Sequence, residues 1–261
     1  MSLIITVYTN EGIVMASDSR MTYAVTTQKE GQTVTNPGIH YLDTSYKTFL
    51  CKNRIGISAC GDVVYDKKMI SYYINEFDRR VLTKETTIDE VPLLLVDFLT
   101  KAKVKMNVFF HVAGYKDNKR KVYKVHLLTK NIVPLPSSDT CGATWDGEIQ
   151  VLTRLIKHAY IASPEKVLAL NNITLNKDNV EKKIDNGILI SQEDITVMPE
   201  LNVPWDFMSL QDGVDFATFA IKTTVDTMKF FQTYKTVGGP IDILILKPNE
   251  SFWLQRKELH I

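Results

Sequence analysis

The hydrophobic pattern of this chain changes period at Gly61, and that change limits the folds open to it. Before Gly61 the apolar residues come in short β-branched runs. Ile4 to Thr9 reads as a strand, Asn10-Glu11-Gly12 supplies turn chemistry, and Ile13 to Ser17 returns as a second strand. Lys47 to Cys51 and Arg54 to Ala59 read as two more. After Gly61 the residues Val64, Tyr65, Met69, Tyr72, Tyr73 and Phe77 recur at three- and four-residue steps, the mark of an amphipathic helix. Thr87-Ile88-Asp89-Glu90 reads as a capping box opening a second helix through Leu93, Leu94, Val96 and Leu99.

Strands return at Asn107 to Tyr115 and Lys121 to Leu128, joined by the polar turn Lys116 to Arg120. A third helix is expected over Glu148 to Ala162. A fourth is expected in "MSLQDGVDFATFAIKTTVDTMKFF", and closing strands over Pro240 to Leu246 and Ser251 to Gln255. The polar stretch Thr26 to Gly38 reads as a long loop, and the region 163–204 as an inserted or irregular segment. The order strands, helices, strands, helices, strands suits an α+β protein in which two sheets pack face to face under outer helices. That is a four-layer α/β/β/α sandwich, expected as one domain over 1–261.

Charge and cysteine content narrow the function. Lys+Arg 31 nearly cancels Asp+Glu 30, so no global field favours nucleic acid or an anionic membrane. No apolar run reaches the ~18 residues of a membrane span, and no signal-peptide pattern opens the chain, which points to the cytoplasm. Cys51, Cys60 and Cys141 have no CxxC spacing and read as reduced thiols. The histidines lack HxxxH or HExxH spacing, and no Gly-rich phosphate loop is present, so neither a metal nor a cofactor is expected.

Asp18 and Arg20 stand at i and i+2, on one side of a strand. Alone they read as a surface ion pair worth ~0–1 kcal/mol. Lys47 alone reads as a solvated lysine, and Gly61 as a turn.

Together, "GIVMASDSR", "KTFL…RIGISACGD" and "GGPIDILIL" resemble, in order and separation, the proteasome β-type subunits and their bacterial relatives. These are N-terminal nucleophile (Ntn) hydrolases. The resemblance spans most of the chain apart from 26–41 and 163–204. It implies that Ser2, exposed once Met1 is removed, is the nucleophile, with its own α-amine (pKa ~8 in peptides) as general base. It further implies that Lys47 stands beside the Ser2 hydroxyl, that Asp18 holds Lys47, and that Arg20 supports the strand end. The Gly61 N–H would face the oxyanion. Met21, Ala59 and Val63 would line the primary side-chain pocket.

The sequence departs from the family in three places. Ser replaces the commoner Thr nucleophile and lacks the methyl that restricts χ1. Tyr234 and Val237 stand where an Asp and a Ser usually precede the late Gly-Gly. Thr140-Cys141-Gly142-Ala143 takes the place of Gly-Ser-Gly, which makes Cys141 the counterpart of a supporting Ser.

The implied activity is peptide-bond hydrolysis on a peptide or unfolded protein, by a homo-oligomer with an ATP-dependent unfoldase as a further partner. Two other readings use the same sandwich. One is a catalytically silent structural subunit, and the other an amidohydrolase on small amides with 163–204 covering a closed pocket.

Overall fold

Leu3–Thr9 (β1) and Gly12–Ser17 (β2) form an antiparallel hairpin with Val7 opposite Val14. Every residue of both strands is buried. Faces that are apolar on both sides mark a strand covered from both sides, and this one is. The computed structural model describes residues 2–29, 32–157, 184–185, 188–189, 201–230 and 235–258. It divides into two compact units, Met1–Glu148 with Pro204–Ile261, and Ile149–Val203.

In the first unit the chain continues through Met21–Lys29 (β3) and Gln32–Leu42 (β4), which pair antiparallel. The loop expected over 26–38 is therefore a long hairpin. Its many Thr and Val residues favour extended backbone even without an apolar face. Thr48–Cys51 (β5) and Ile55–Gly61 (β6) follow, then the two-residue strands Val64–Tyr65 (β7) and Lys68–Met69 (β8). Asp66 and Lys67 between them both have positive φ, the turn that closes a tight hairpin. That hairpin delays the first helix, Ile70–Arg80 (α1), past the expected start at Val64.

The second helix, Val91–Lys101 (α2), starts with Pro92 in its first turn, where a missing N–H costs nothing. Thr87 is not its N-cap. Glu90 Oε2 accepts from both the Thr87 N–H and hydroxyl at 2.7 Å, so the expected capping box closes on itself one turn early. Val108–Lys116 (β9) and Lys119–His126 (β10) turn through Asp117 and Asn118, again with positive φ. Asn131–Pro134 (β11) and Gly142–Gly147 (β12) complete this half.

The second unit holds Gln150–Lys157 (α3) and the short pair Ile184–Asp185 (β13) with Ile188–Leu189 (β14). Leu201 N donates to Ile156 O at 2.8 Å. The rest of the helix expected to Ala162, and most of 163–204, lie outside the described residues.

The first unit resumes with Leu210–Met228 (α4), Asp242–Leu246 (β15) and Ser251–Gln255 (β16). A capping box not foreseen in the sequence starts α4: the Ser209 hydroxyl takes the Asp212 N–H while Asp212 takes the Ser209 N–H.

Two five-stranded sheets result, ordered β12-β1-β2-β15-β16 and β11-β10-β9-β6-β5. Their facing surfaces bury Ile13, Met15, Leu244 and Leu246 with Ala113 and Val122. The outer face of the second sheet packs Phe49, Ile57, Phe110 and Val112 against Ile70, Ile74 and Phe77 of α1 and Leu95 and Leu99 of α2. Each such side chain stabilises by roughly 1.5–3 kcal/mol. On the other side α4 packs on β1 and β2, and Leu210 N donates to Glu11 Oε2 at the hairpin turn. The unit is thus a four-layer α/β/β/α sandwich. Among the described residues no helix is long and apolar enough to cross a membrane.

Candidate active site

The start of β1 is fixed by hydrogen bonds on both sides, one to backbone and one to a carboxylate. Glu148 N donates to Ser2 O at 2.7 Å, just past β12. Gly147, at φ +101°, makes this approach possible, since a Cβ there would lie 1.8 Å from Ser2 O. On the other side Leu3 N donates to Asp18 Oδ1 at 3.0 Å. Ser2 itself is 1% exposed. Its hydroxyl is buried and has no hydrogen-bond partner among the described residues.

Asp18, just past β2, gathers four donors. Oδ1 takes Leu3 N and the Lys47 ammonium, the latter at 2.7 Å. Oδ2 takes Arg20 N and Gly238 N, each at 3.0 Å. Lys47 enters from the residue before β5, and both it and Asp18 are 0% exposed. Its Nζ also donates to Arg20 O at 2.6 Å. Burial pushes the Lys47 ammonium down from its usual value, and the Asp18 carboxylate opposes that push.

Arg20 does not pair with Asp18 through its side chain. Its guanidinium forks onto Asp43 with both contacts at 2.7 Å, and it lies over the Tyr41 ring. The surface pairing of Asp18 with Arg20 is replaced by two separate ion pairs, one buried and one at the rim.

Gly61 ends β6 at φ +109°, where an added Cβ would sit 2.2 Å from Asn107 O. It stands at the Lys47 end of the sheet, because Ala59 N donates to Lys47 O at 2.8 Å. Cys60, the residue before Gly61, lies near Gly147, where an added Cβ would come within 3.4 Å of the Cys60 Cβ. Burial pushes the Cys60 thiol far up, so it stays protonated. Met21 and Val63 are half-buried. Ala59 is 1% exposed and belongs to the core beneath α1 and α2, so it can form only the floor of a pocket.

Cys141 is not brought to this cluster. Gly142 pairs with Tyr8 at the far end of β1, about 20 Å of strand from Ser2, and Cys141 Sγ contacts Asn10 Oδ1 at 3.3 Å. The stretch beside Ser2 is Gly147-Glu148, reached only after β12 has run its length. Val237 is 1% exposed and offers no carboxylate. Tyr234 lies outside the described residues.

Three polar groups near the cluster escaped the sequence reading. Glu148 is 7% exposed and adjoins Ser2. Asp242 is buried against Lys257. His111, 0% exposed, joins Thr6 Oγ1 and Asp146 Oδ2, each at 2.9 Å. Lys124 reaches the same Asp146 oxygen. The signal was present: a lone charged or imidazole group inside "PIDILIL" or "FFHVAGY" must find a partner once buried.

No family model matches the chain, and no curated protein matches it. Among solved structures, the Gly-1 mutant of Anbu from Hyphomicrobium sp. strain MC1 is similar to it, with a TM-score of 0.54. The two are 14% identical, with 95% of this chain and 82% of that chain covered. A second structure of Anbu from the same strain gives a TM-score of 0.49 at 12% identity, covering 98% of this chain and 88% of that one. At such identity the first match speaks to architecture alone: the chain shares the overall fold of Anbu, in keeping with the α/β/β/α layering described above.

Proposed function

We propose that the protein is an Ntn-type peptidase that hydrolyses amide bonds through Ser2 once the Met1–Ser2 bond is cut. The observation that supports this most is the Lys47–Asp18 pair. It is wholly removed from water, and its Asp18 oxygen is shared with the first backbone N–H after Ser2. A buried hydroxyl without a partner costs about 1–3 kcal/mol, and among the described residues the Ser2 hydroxyl has none.

In this reading the freed α-amine takes the Oγ proton and Oγ attacks the substrate carbonyl carbon. The Lys47 ammonium favours negative charge on Oγ, and the Gly61 N–H stabilises the oxyanion. Collapse breaks the C–N bond, and the α-ammonium returns its proton to the leaving amine. Water, deprotonated by the same amine, then hydrolyses the Ser2 ester and releases the acid. An extended peptide beside a strand edge is the substrate class, with Met21 and Val63 at the rim of its pocket and Ala59 at the floor.

Intact mass and N-terminal sequencing decide whether Ser2 is ever exposed. With Ser2 exposed, short fluorogenic peptides should be cleaved and a peptide electrophile should add covalently to Ser2. Exposed Ser2 with neither turnover nor labelling would refute the proposal. That outcome would favour the silent structural subunit, for which the apolar Val237 before Gly238-Gly239 is the supporting observation.

A further inference from the structure

The ends of β6, β9 and β10 lie side by side at the end of the second sheet that carries Gly61. Gly61 pairs with Val108, and Leu127 N donates to Val108 O at 3.0 Å. Asp62 N donates to Asn107 O at 3.0 Å, and the Asp62 carboxylate accepts the Asn107 N–H at 2.8 Å. Beside this junction, between the end of α2 and the turn after β10, a cavity of about 400 Å³ opens. Its floor is apolar. Val104, Met106 and Leu127 are buried in the same cluster beneath α1 and α2 as Ala59, the floor of the primary pocket. The cavity and that pocket therefore share one face and one end of the sheet. The walls are pinned on both sides. The Tyr65 hydroxyl donates to Lys103 O at 2.7 Å. His126, stacked on Phe109, meets Asn107 Oδ1 through Nε2 and Thr129 Oγ1 through Nδ1, each at 2.8 Å.

Lys103, Lys105 and Lys130 line the cavity, are exposed, and form no ion pair among the described residues. Lys116 and Lys124, by contrast, each reach an aspartate. A lysine at the end of a helix complements its dipole, which accounts for Lys103 after α2 and not for Lys105 or Lys130. Among the described residues no Asp or Glu lines the cavity. Three ammonium groups around an apolar floor suit a carboxylate on a short apolar stem better than a bare phosphate. Leu127 stands two strand spacings, about 10 Å, from Gly61. An extended peptide covers that distance in about three residues. We propose that the cavity is a specificity subsite that takes a glutamate side chain of the peptide, about three residues from the bond cut at Ser2. The inference rests on reading Ser2 and Gly61 as the place of cleavage.

The test is peptide binding to the full chain carrying Ser2→Ala, which cannot turn over by the proposed route. Fluorescence anisotropy compares labelled peptides of about eight residues, apolar apart from one central Glu or Gln. The Glu peptide should bind about fivefold tighter at low salt, with the advantage shrinking in about 0.5 M NaCl. With Lys105→Met and Lys130→Met added, the two peptides should bind alike and the Gln peptide as before. Equal affinities in the parent, or a Glu preference kept without the lysines, would overturn the proposal. So would displacement of the Glu peptide by inorganic phosphate as readily as by unlabelled peptide, the mark of a general anion site. In the wild type the cut should follow the Glu as it is moved along the peptide, and cuts that ignore it would also overturn the proposal. Binding needs no turnover, so a wild type that cleaves nothing would refute the hydrolysis proposed above while the anisotropy still decides the subsite.

Discussion

Lys47 shows how burial changes the meaning of a substitution. On a solvated face, Lys47→Ala would alter chemistry and leave the fold intact. Here the pair is closed to water, and removing one partner from a buried ion pair costs about 3–5 kcal/mol. The three backbone N–H groups that remain on Asp18 soften that cost, because they still stabilise its carboxylate. We therefore expect Lys47→Ala to lose peptide turnover and also to unfold at lower urea, by about 2–4 kcal/mol. Denaturation and peptide assays on the same preparation check this. Unchanged turnover would remove Lys47 from the mechanism, and an unchanged midpoint would show that the pair is not buried in solution.

At the scale of elements, His111 links β9 to β1 and β12 across the sandwich. A carboxylate only accepts, so Nε2 carries the proton toward Asp146 and Nδ1 accepts the Thr6 hydroxyl. Burial holds the His111 pKa below the ordinary 6.5, with Asp146 opposing. Below pH 6.5 the unfolded chain then binds a proton that the folded chain does not. Stability should fall as pH drops from 6.5 toward the folded value, by up to about 1.4 kcal/mol per pH unit. Above 6.5 this contribution is flat. Urea midpoints of wild type and His111→Gln from pH 5 to 8 measure it, and equal slopes below 6.5 would refute it.

The strands and helices of this sandwich were largely readable because each has a strong period: β16 spans Ser251–Gln255 as expected, and β1 differs by one residue. The β3–β4 hairpin was not, because its pattern lacks an apolar face. At the site, Asp18, Lys47 and Gly61 were named only through the family resemblance, since each alone reads as an ordinary surface or turn residue. Glu148, Asp242 and His111 were missed because pairing between distant strands, which only the folded register supplies, brings them there.

At the scale of the molecule, the near-neutral charge leaves little repulsion between copies. Exposed apolar side chains sit on the helices, with Tyr72 on α1 43% exposed, Leu93 on α2 62% and Phe219 on α4 48%. Scattered singly, such groups are ordinary on a protein surface, so the expectation of association rests on the proposed relation to chamber-forming hydrolases. Sedimentation velocity at micromolar concentration should show an oligomer, and a single boundary at the monomer mass would refute the expectation.

The two hydrogen bonds that grip Ser2 and Leu3, one from the Glu148 N–H and one to the Asp18 carboxylate, bear on the proposed removal of Met1. Neither uses the peptide group between Met1 and Ser2, so severing that group leaves both intact. If Ser2 acts as proposed above, its freed terminus would already be held by both bonds, and loss of one methionine would need no rearrangement of either.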